Sequence, residues 1–124
     1  MDIYSQELLH FYKNQPHNKT LKKASLNGRD ANLSCGDEIN LEIKLNSEGI
    51  IEDIGYQSDG CVISTASISM LSESLIGKKI DDAVKLSAND YLNSLGVDLT
   101  ISRQKCALVG YNALKNATKN YKKN

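Results

Sequence analysis

The segment 38–45 constrains the fold most, because its side chains alternate strictly between apolar and polar. Aliphatic residues occupy every second position: Ile39, Leu41, Ile43 and Leu45. A period of two places them on one face of a β-strand, with the other face in water. The turn-forming residues 46–49, in which Gly49 can adopt positive φ, predict a hairpin into a second strand over 50–56. A third strand over 24–33 completes a small antiparallel sheet in this prediction.

The periodicity becomes helical after Cys61. Apolar and small residues recur every three or four positions up to Gly77, which predicts one helix ending at that glycine. Further helices are predicted over 4–13, 81–85, 87–95 and 103–121. Ser87 is a plausible N-cap for the third of these helices, and 17–24 is predicted as a loop. Strands followed by helices predict an α+β fold: a three-stranded antiparallel sheet with helices on one face and a long C-terminal helix.

The composition bounds the class of protein. A chain of 124 residues with 40% apolar residues predicts a single domain over 1–124. Basic and acidic residues number 15 each, so no net charge favours nucleic acid or a membrane surface as partner. No apolar run approaches the length of a membrane span, and the first residues lack the apolar core of a secretory signal. We therefore expect a cytoplasmic protein.

The charges are unevenly distributed along the chain. Between residues 35 and 60 there are seven acidic residues against Lys44 alone, whereas from residue 99 to the end there are six basic residues and no acidic one. Two interpretations stay open at this stage. The runs are either solvated faces of a strand pair and a helix, or the last helix is a basic docking surface for an acidic partner.

Three cysteines, an odd number, are typical of free thiols, metal ligands or reactive groups rather than of a disulfide framework. Cys35 and Asp37 flank a glycine that permits a tight bend, and both side chains are acceptable ligands for zinc or iron. Cys61 opens a predicted helix and Cys106 lies in the predicted first turn of another, where the helix dipole favours a thiolate. Buried structural thiols remain the alternative at this point.

Several familiar sites are excluded by spacing. No Cys-x-x-Cys pair is present, so a zinc ribbon, a ferredoxin or a thioredoxin site is not predicted. The serine-rich stretch 64–74 contains no nucleophile elbow, and Gly77-Lys78 lacks the remainder of a P-loop. His10 and His17 are interpreted as surface or capping residues.

The three cysteine contexts, read together, closely resemble the U-type iron–sulfur cluster assembly scaffold family, which comprises IscU, SufU and the N-terminal domain of NifU. These contexts are NLSCGD at 32–37, GCVISTASISM at 60–70 and RQKCAL at 103–108. The opening stretch 4–18 also looks like that family's N-terminal segment, so the resemblance covers nearly the whole chain.

The resemblance implies one metal or cluster site at an exposed tip, with Cys35, Asp37, Cys61 and Cys106 as ligands. It implies zinc or iron as the ion, and a transient 2Fe–2S or 4Fe–4S cluster. The implied partners are a pyridoxal-phosphate cysteine desulfurase, which supplies sulfane sulfur, and a downstream cluster carrier or apo-protein. The implied role is that of a scaffold and sulfur acceptor rather than an enzyme, although sulfurtransferase activity is compatible with it.

The subtype stays open between a cluster scaffold and a zinc-dependent sulfurtransferase. Lys105 stands where the IscU branch carries histidine, and Arg103 precedes Cys106 as in the SufU branch. The chain nevertheless lacks room for the segment that SufU proteins usually insert between Cys61 and Cys106. Cys35, on a glycine-containing loop, is predicted to be the first persulfide acceptor. Cys106 is its rival, because Arg103 and Lys105 beside it would stabilise a thiolate.

Overall fold

The structure is a computed structural model that describes residues 6–33, 36–96, 98–119 and 121. Three strands are followed by most of the helices, in the order that the sequence predicted. The elements are α1 (Gln6–Lys13), β1 (Leu26–Asn32), β2 (Asp37–Leu45), β3 (Ile51–Asp59), α2 (Val62–Leu75), α3 (Ile80–Lys85), α4 (Ala88–Ser94) and α5 (Ile101–Thr118).

The sheet is antiparallel with strand order β1-β2-β3, which confirms the predicted sheet. β3 is longer than predicted and continues to Asp59, which pairs with Glu38. The polar run 57–59 hid this extension, because it carries no apolar alternation. A bulge between Lys44 and Leu45 interrupts the register beside the hairpin, and Gly49 has the positive φ that the turn requires.

Helices α2 and α5 cover one face of the sheet. The inward side chains of β2 are fully buried: Ile39, Leu41 and Ile43. Gly28 of β1 faces α5, and a Cβ placed on it would lie 2.8 Å from the Cα of Ala117. Gly110 of α5 faces Ile68 and Ile39 in the same way, at slightly longer distances. Small residues thus bring the helix backbone against the sheet, as close packing requires.

Helix α2 is buried along nearly its whole length, including four serines. These serines are Ser64, Ser67, Ser69 and Ser72. Ser72 Oγ donates a hydrogen bond to the carbonyl oxygen of Ile68 at 2.7 Å, a local bond that satisfies a buried hydroxyl within the helix. The interpretation of this stretch as a tightly packed small-residue helix is correct, except that Ser74 is exposed.

Helix α5 begins at Ile101, two residues earlier than predicted, and ends at Thr118. Thr100 is the N-cap, and its hydroxyl accepts a hydrogen bond from the Arg103 N–H at 3.3 Å. The prediction that Cys106 lies in the first turn is therefore wrong, because five helical residues precede it. The β-branched Ile101 concealed this start, since it favours extended structure, whereas Thr100 is a favourable N-cap residue.

The segment between α1 and β1 runs along the free edge of β3. Asn18 forms an isolated parallel bridge with Tyr56, whose N–H donates to the carbonyl oxygen of His17 at 2.9 Å. The Gln57 amide donates to the Lys19 carbonyl oxygen, and Lys19 Nζ pairs with Asp53. The loop predicted for 17–24 thus protects an exposed sheet edge.

Part of the positive charge of the C-terminal helix is used in contacts within the molecule. Lys115 Nζ donates hydrogen bonds to the carbonyl oxygens of Ala83 and Val84, at the end of α3. A cation there also complements the negative end of that helix. Lys105 and Lys119 are exposed. Within the described residues, no helix has both the length and the apolarity needed to cross a membrane.

Candidate metal centre

Three of the four predicted ligands converge at one end of the sheet. Each of Asp37, Cys61 and Cys106 offers one ligand atom, and these atoms lie within 4.8 Å of one another. Cys35, the fourth predicted ligand, lies outside the described residues. No other group of three or more acidic, histidine or cysteine side chains with such spacing occurs in the described ranges.

The hairpin of β2 and β3 positions Asp37 and Cys61. Asp37 is the first residue of β2, and Cys61 follows the last residue of β3 by two positions. Because Glu38 and Asp59 are paired across the strands, the start of β2 and the end of β3 must lie side by side. Helix α5 crosses this end of the sheet and brings Cys106 to the same point.

Asp37 is a buried carboxylate, only 1% exposed. Its Oδ1 accepts a hydrogen bond from the Cys61 N–H at 2.8 Å, and its Oδ2 lies 3.9 Å from Cys61 Sγ. Gly60 makes this approach possible, because a Cβ at that position would collide with the Asp37 carboxylate and come within 2.6 Å of Ser64 Oγ. A buried charge needs such partners to offset its lost hydration.

Cys61 is the exposed member of the group and the N-cap of α2. Its side chain makes no capping hydrogen bond, and its Sγ is one of the three converging ligand atoms. Ser64 Oγ lies 3.8 Å from Cys61 Sγ and donates to the Cys61 carbonyl oxygen at 3.1 Å. The positive end of the α2 dipole favours negative charge at this position.

Cys106 is buried, at 8% exposure, in the second turn of α5. The predicted stabilisation of its thiolate by a helix N-terminus fails, because that effect is confined to the first turn. The neighbouring Lys105 is exposed and lines a groove with Asp30 and Leu33 of the β1 region. Arg103, at the start of the helix, is half-buried.

The donor set suits a cation. Two thiolates and a carboxylate at these distances repel one another, and a bound cation removes that repulsion. Tetrahedral zinc, with Zn–O and Zn–S bonds of about 2.0 and 2.3 Å, holds an oxygen and a sulfur ligand about 3.5 Å apart. The separation of 3.9 Å between Cys61 Sγ and Asp37 Oδ2 is longer than this by about 0.4 Å.

The histidines lie away from the centre. His17 Nε2 is 2.7 Å from Glu73 Oε2 on α2, and His10 contacts the ring of Phe11 edge-on. The interpretation of His10 as a surface residue agrees with its exposure. That of His17 is wrong, because its side chain is only 12% exposed and its Nδ1 is buried. Sequence reasoning missed Gly60 and Ser64 as site residues. The glycine directly before Cys61 was the available signal, because a missing side chain next to a ligand often marks a close approach.

The sequence model of the family described as "NifU-like N terminal domain" matches residues 3–124. The chain therefore belongs to this family, which confirms the resemblance drawn from the cysteine contexts.

Three curated relatives represent the three branches of the family. The zinc-dependent sulfurtransferase SufU of Bacillus subtilis (strain 168) is 33% identical over 91% of this chain and 87% of its own length. The iron–sulfur cluster assembly scaffold protein IscU of Escherichia coli (strain K12) is 32% identical over 96% and 94%. The nitrogen fixation protein NifU of Azotobacter chroococcum mcd 1 is 33% identical over 96% of this chain, which spans 38% of NifU.

The fold is shared with a solved structure. A crystal structure from Fervidobacterium islandicum AW-1, of a protein named as an iron–sulfur cluster assembly scaffold for the SUF system, superposes with a TM-score of 0.75 at 27% identity. It covers 93% of this chain and 96% of that chain. The α+β fold with a three-stranded sheet and a long C-terminal helix is thus confirmed.

Proposed function

We propose that this protein is an iron–sulfur cluster assembly scaffold that accepts sulfane sulfur and holds iron or a nascent cluster on Cys35, Asp37, Cys61 and Cys106. The observation that carries the proposal is the convergence of Asp37, Cys61 and Cys106 within 4.8 Å. The names of the IscU and Fervidobacterium relatives support the same function. In this role the protein is not an enzyme, because the cluster is its cargo and leaves with a downstream carrier or apo-protein.

Sulfur arrives by thiol–persulfide exchange with a pyridoxal-phosphate cysteine desulfurase. A cysteine thiolate of this chain attacks the outer sulfur of the desulfurase persulfide, a new S–S bond forms, and the desulfurase thiolate leaves. We assign the first acceptance to Cys35. Cys106, the rival, is 8% exposed, and its burial opposes direct contact with a partner's persulfide.

Asp37 gives the site one oxygen ligand among sulfur ligands. Carboxylate is a harder ligand than thiolate and binds iron and zinc less tightly in a sulfur-rich set. A scaffold has to release what it assembles, so a weaker fourth ligand serves that purpose. The hydrogen bond from the Cys61 N–H to Asp37 Oδ1 orients the carboxylate toward the thiols.

The alternative function is a zinc-dependent sulfurtransferase that activates its desulfurase and relays the persulfide. Two observations favour it: Lys105 occupies the place of the IscU-branch histidine, and Cys61 Sγ and Asp37 Oδ2 are 3.9 Å apart, within about 0.4 Å of the oxygen–sulfur separation around one tetrahedral zinc ion. Zinc is redox-inert and survives exposure to air, so we expect protein isolated in air to contain zinc under either function.

A paired assay separates the two functions. Purified protein is analysed for metal, reconstituted anaerobically with iron and sulfide, and added to its desulfurase with cysteine as substrate. Cluster absorption that can be passed to an apo-ferredoxin supports the scaffold. Strong activation of the desulfurase by the zinc form, with no transferable cluster, supports the sulfurtransferase.

One ligand variant and one matched control variant complete this assay. Cys61→Ser removes one ligand and should abolish both readouts, whereas Ser74→Ala changes an exposed position on the same helix and should leave both intact. Mapping the persulfide by mass spectrometry after mixing with the desulfurase tests the acceptor. Label on Cys106 with none on Cys35 would contradict our assignment.

A further inference from the structure

The two described cysteines differ sharply in environment although they are neighbours. Cys61 is exposed at the start of α2, whereas Cys106 is 8% exposed within α5. Their Sγ atoms lie within 4.8 Å of each other. Cys61 therefore presents an exposed residue to a sulfur donor, and the thiol of the buried Cys106 lies within 4.8 Å of its Sγ.

We infer that Cys61 and Cys106 form a resolving pair that releases bound sulfane sulfur as sulfide. The inference rests on the proposed function and deepens it, because iron–sulfur clusters contain sulfide, which is two electrons more reduced than sulfane sulfur. A persulfide on Cys61, formed by a donor or by transfer from Cys35, is the substrate of the step. The thiol of Cys106 is the attacking group.

The reaction balances without an external reductant. Cys106 Sγ attacks Cys61 Sγ, and the Sγ–Sγ bond forms while the bond from Cys61 Sγ to the outer sulfur breaks. The electron pair of that bond leaves with the outer sulfur, which also takes the proton of the Cys106 thiol and departs as hydrogen sulfide. The two thiols are oxidised to one disulfide, and a dithiol reductant restores them.

The geometry favours attack at the inner sulfur over transfer of the outer one. Cys106 Sγ lies within 4.8 Å of Cys61 Sγ itself, whereas a further sulfur bonded to this exposed residue has space to extend toward solvent. Cys106 can then reach Cys61 Sγ more readily than the outer atom. Which sulfur is attacked decides between sulfide release and transfer.

The release of sulfide can occur only while the site holds no metal. A metal held by the same thiols occupies the electron pairs that the reaction needs, so metal binding and sulfide release exclude each other at this pair. Sulfide release therefore precedes metal binding on any given molecule, and the dithiol reductant must act before the thiolates can ligate.

The test uses the full-length chain carrying Cys35→Ser, so that Cys61 is the exposed acceptor. Metal-free protein is treated anaerobically with inorganic polysulfide, freed of excess by gel filtration, and followed for sulfide release. We expect release roughly tenfold or more faster than in the matched Cys35→Ser/Cys106→Ser protein, because the neighbouring thiol acts intramolecularly. Mass spectrometry should show one Cys61–Cys106 disulfide for each sulfide released.

Equal release from both proteins, a stable persulfide on Cys61, or sulfur transferred to Cys106 would each overturn the inference. The ratio of disulfide to sulfide in the Cys35→Ser protein is decisive on its own, even where Cys106→Ser perturbs folding. Because the donor is inorganic and neither iron nor desulfurase is present, failure here leaves the scaffold proposal standing. Loss of cluster assembly, conversely, would leave this reaction unaffected.

Discussion

The interface between α5 and the sheet is built differently at its two ends. At the C-terminal end of the helix, Gly28 meets the backbone of Ala113 and Ala117 with no room for a side chain. At the N-terminal end, the same interface encloses a buried carboxylate, Asp37, beside the thiol of Cys106. The first end gains stability from close contact. The second end is less stabilising, because burying polar groups there costs free energy.

The close backbone packing that stabilises the fold and the side chains that can bind a metal thus lie at opposite ends of the interface between α5 and the sheet. The backbone contacts at Gly28 fix the position of α5, and that position brings Cys106 to the site. Asp37 and the exposed Cys61 contribute little apolar packing, whereas Cys106 belongs to the hydrophobic core. Substitutions at the two ends should therefore have different signatures, one in unfolding and the other in metal binding.

The largest effect is expected for Gly28→Ala. Its Cβ would collide with helix backbone, which cannot move aside as a flexible side chain can. We expect a loss of about 3 kcal/mol in the free energy of unfolding, at the upper end for overpacked positions. Urea denaturation measures it, with the exposed neighbour Asn27→Ala as control. A loss below about 0.5 kcal/mol would show that the close contact is not a fixed feature.

Substitution of Asp37 is expected to have the next largest effect, and at the other end of the interface. Asp37→Asn keeps an acceptor for the Cys61 N–H but removes the anionic ligand. We expect zinc affinity to fall by more than the roughly 10–100-fold typical of lost outer-shell partners, with little change in unfolding. Competition with a chromophoric chelator measures the affinity.

The matched variant Asp37→Ala separates the two roles of the carboxylate. It also leaves the Cys61 N–H without its acceptor, so an additional loss of about 1–3 kcal/mol in unfolding free energy is expected. If Asp37→Asn unfolds the protein as severely as Asp37→Ala, the carboxylate is structural, and the separation between the two ends of the interface fails.

The sequence predicted those parts of the fold that local pattern determines. The strict alternation over 38–45 identified β2, and the small-residue run after Cys61 identified α2, because each pattern satisfies only one periodicity. The start of α5 was misplaced, because the β-branched Ile101 disfavours a helix locally and the capping role of Thr100 was not recognised. Glycine disfavours a strand interior, and the contact of Gly28 with α5 explains its place in β1.

The candidate site was predictable in composition but not in geometry. The cysteine contexts pointed to the family, and the family supplied the residues. Gly60, directly before Cys61, was the one local signal of a close approach, and no local pattern showed that Asp37 is buried or that Cys61 and Cys106 differ in exposure. Those features arise where three elements distant in sequence meet.

A smaller effect on the free energy of unfolding is expected for Tyr91→Phe. This variant tests whether Tyr91 helps to hold α5 in place between the two ends of its interface with the sheet. Tyr91 is buried in α4, and its hydroxyl donates to the Ala107 carbonyl oxygen at 2.7 Å, next to Cys106. Removing one buried hydrogen bond should cost about 1 kcal/mol in unfolding free energy. Tyr111→Phe, which loses a bond to the Leu86 carbonyl oxygen at 2.8 Å, is the control farther from the site. A shift in zinc affinity with Tyr91→Phe alone would show that the two ends are coupled.

The smallest effect on stability is expected for Asp53, which lies on the edge strand β3, away from both ends of the interface between α5 and the sheet. Acid titration there tests stability without altering a metal ligand. Burial opposes ionisation of Asp53, but hydrogen bonds from Lys19 and from the Ile54 N–H outweigh it, so the pKa of Asp53 lies below its usual value. A lowered pKa in the folded state adds stability above the unfolded-state pKa, and this stability is lost as pH falls through the folded-state pKa.

The magnitude of this effect should stay below about 1 kcal/mol, because the Lys19 and Asp53 side chains are 43% and 34% exposed and solvent screens the pair. Asp53→Asn should therefore lower the unfolding free energy slightly at neutral pH and converge with the parent protein as pH falls through the lowered folded-state pKa of Asp53. Lys19→Met should give the same convergence if the ion pair is the cause. Zinc content at neutral pH should be unchanged in both variants, since neither side chain lies near the three converging ligands. Loss of zinc in either one would mean that the edge of β3 contributes to the site.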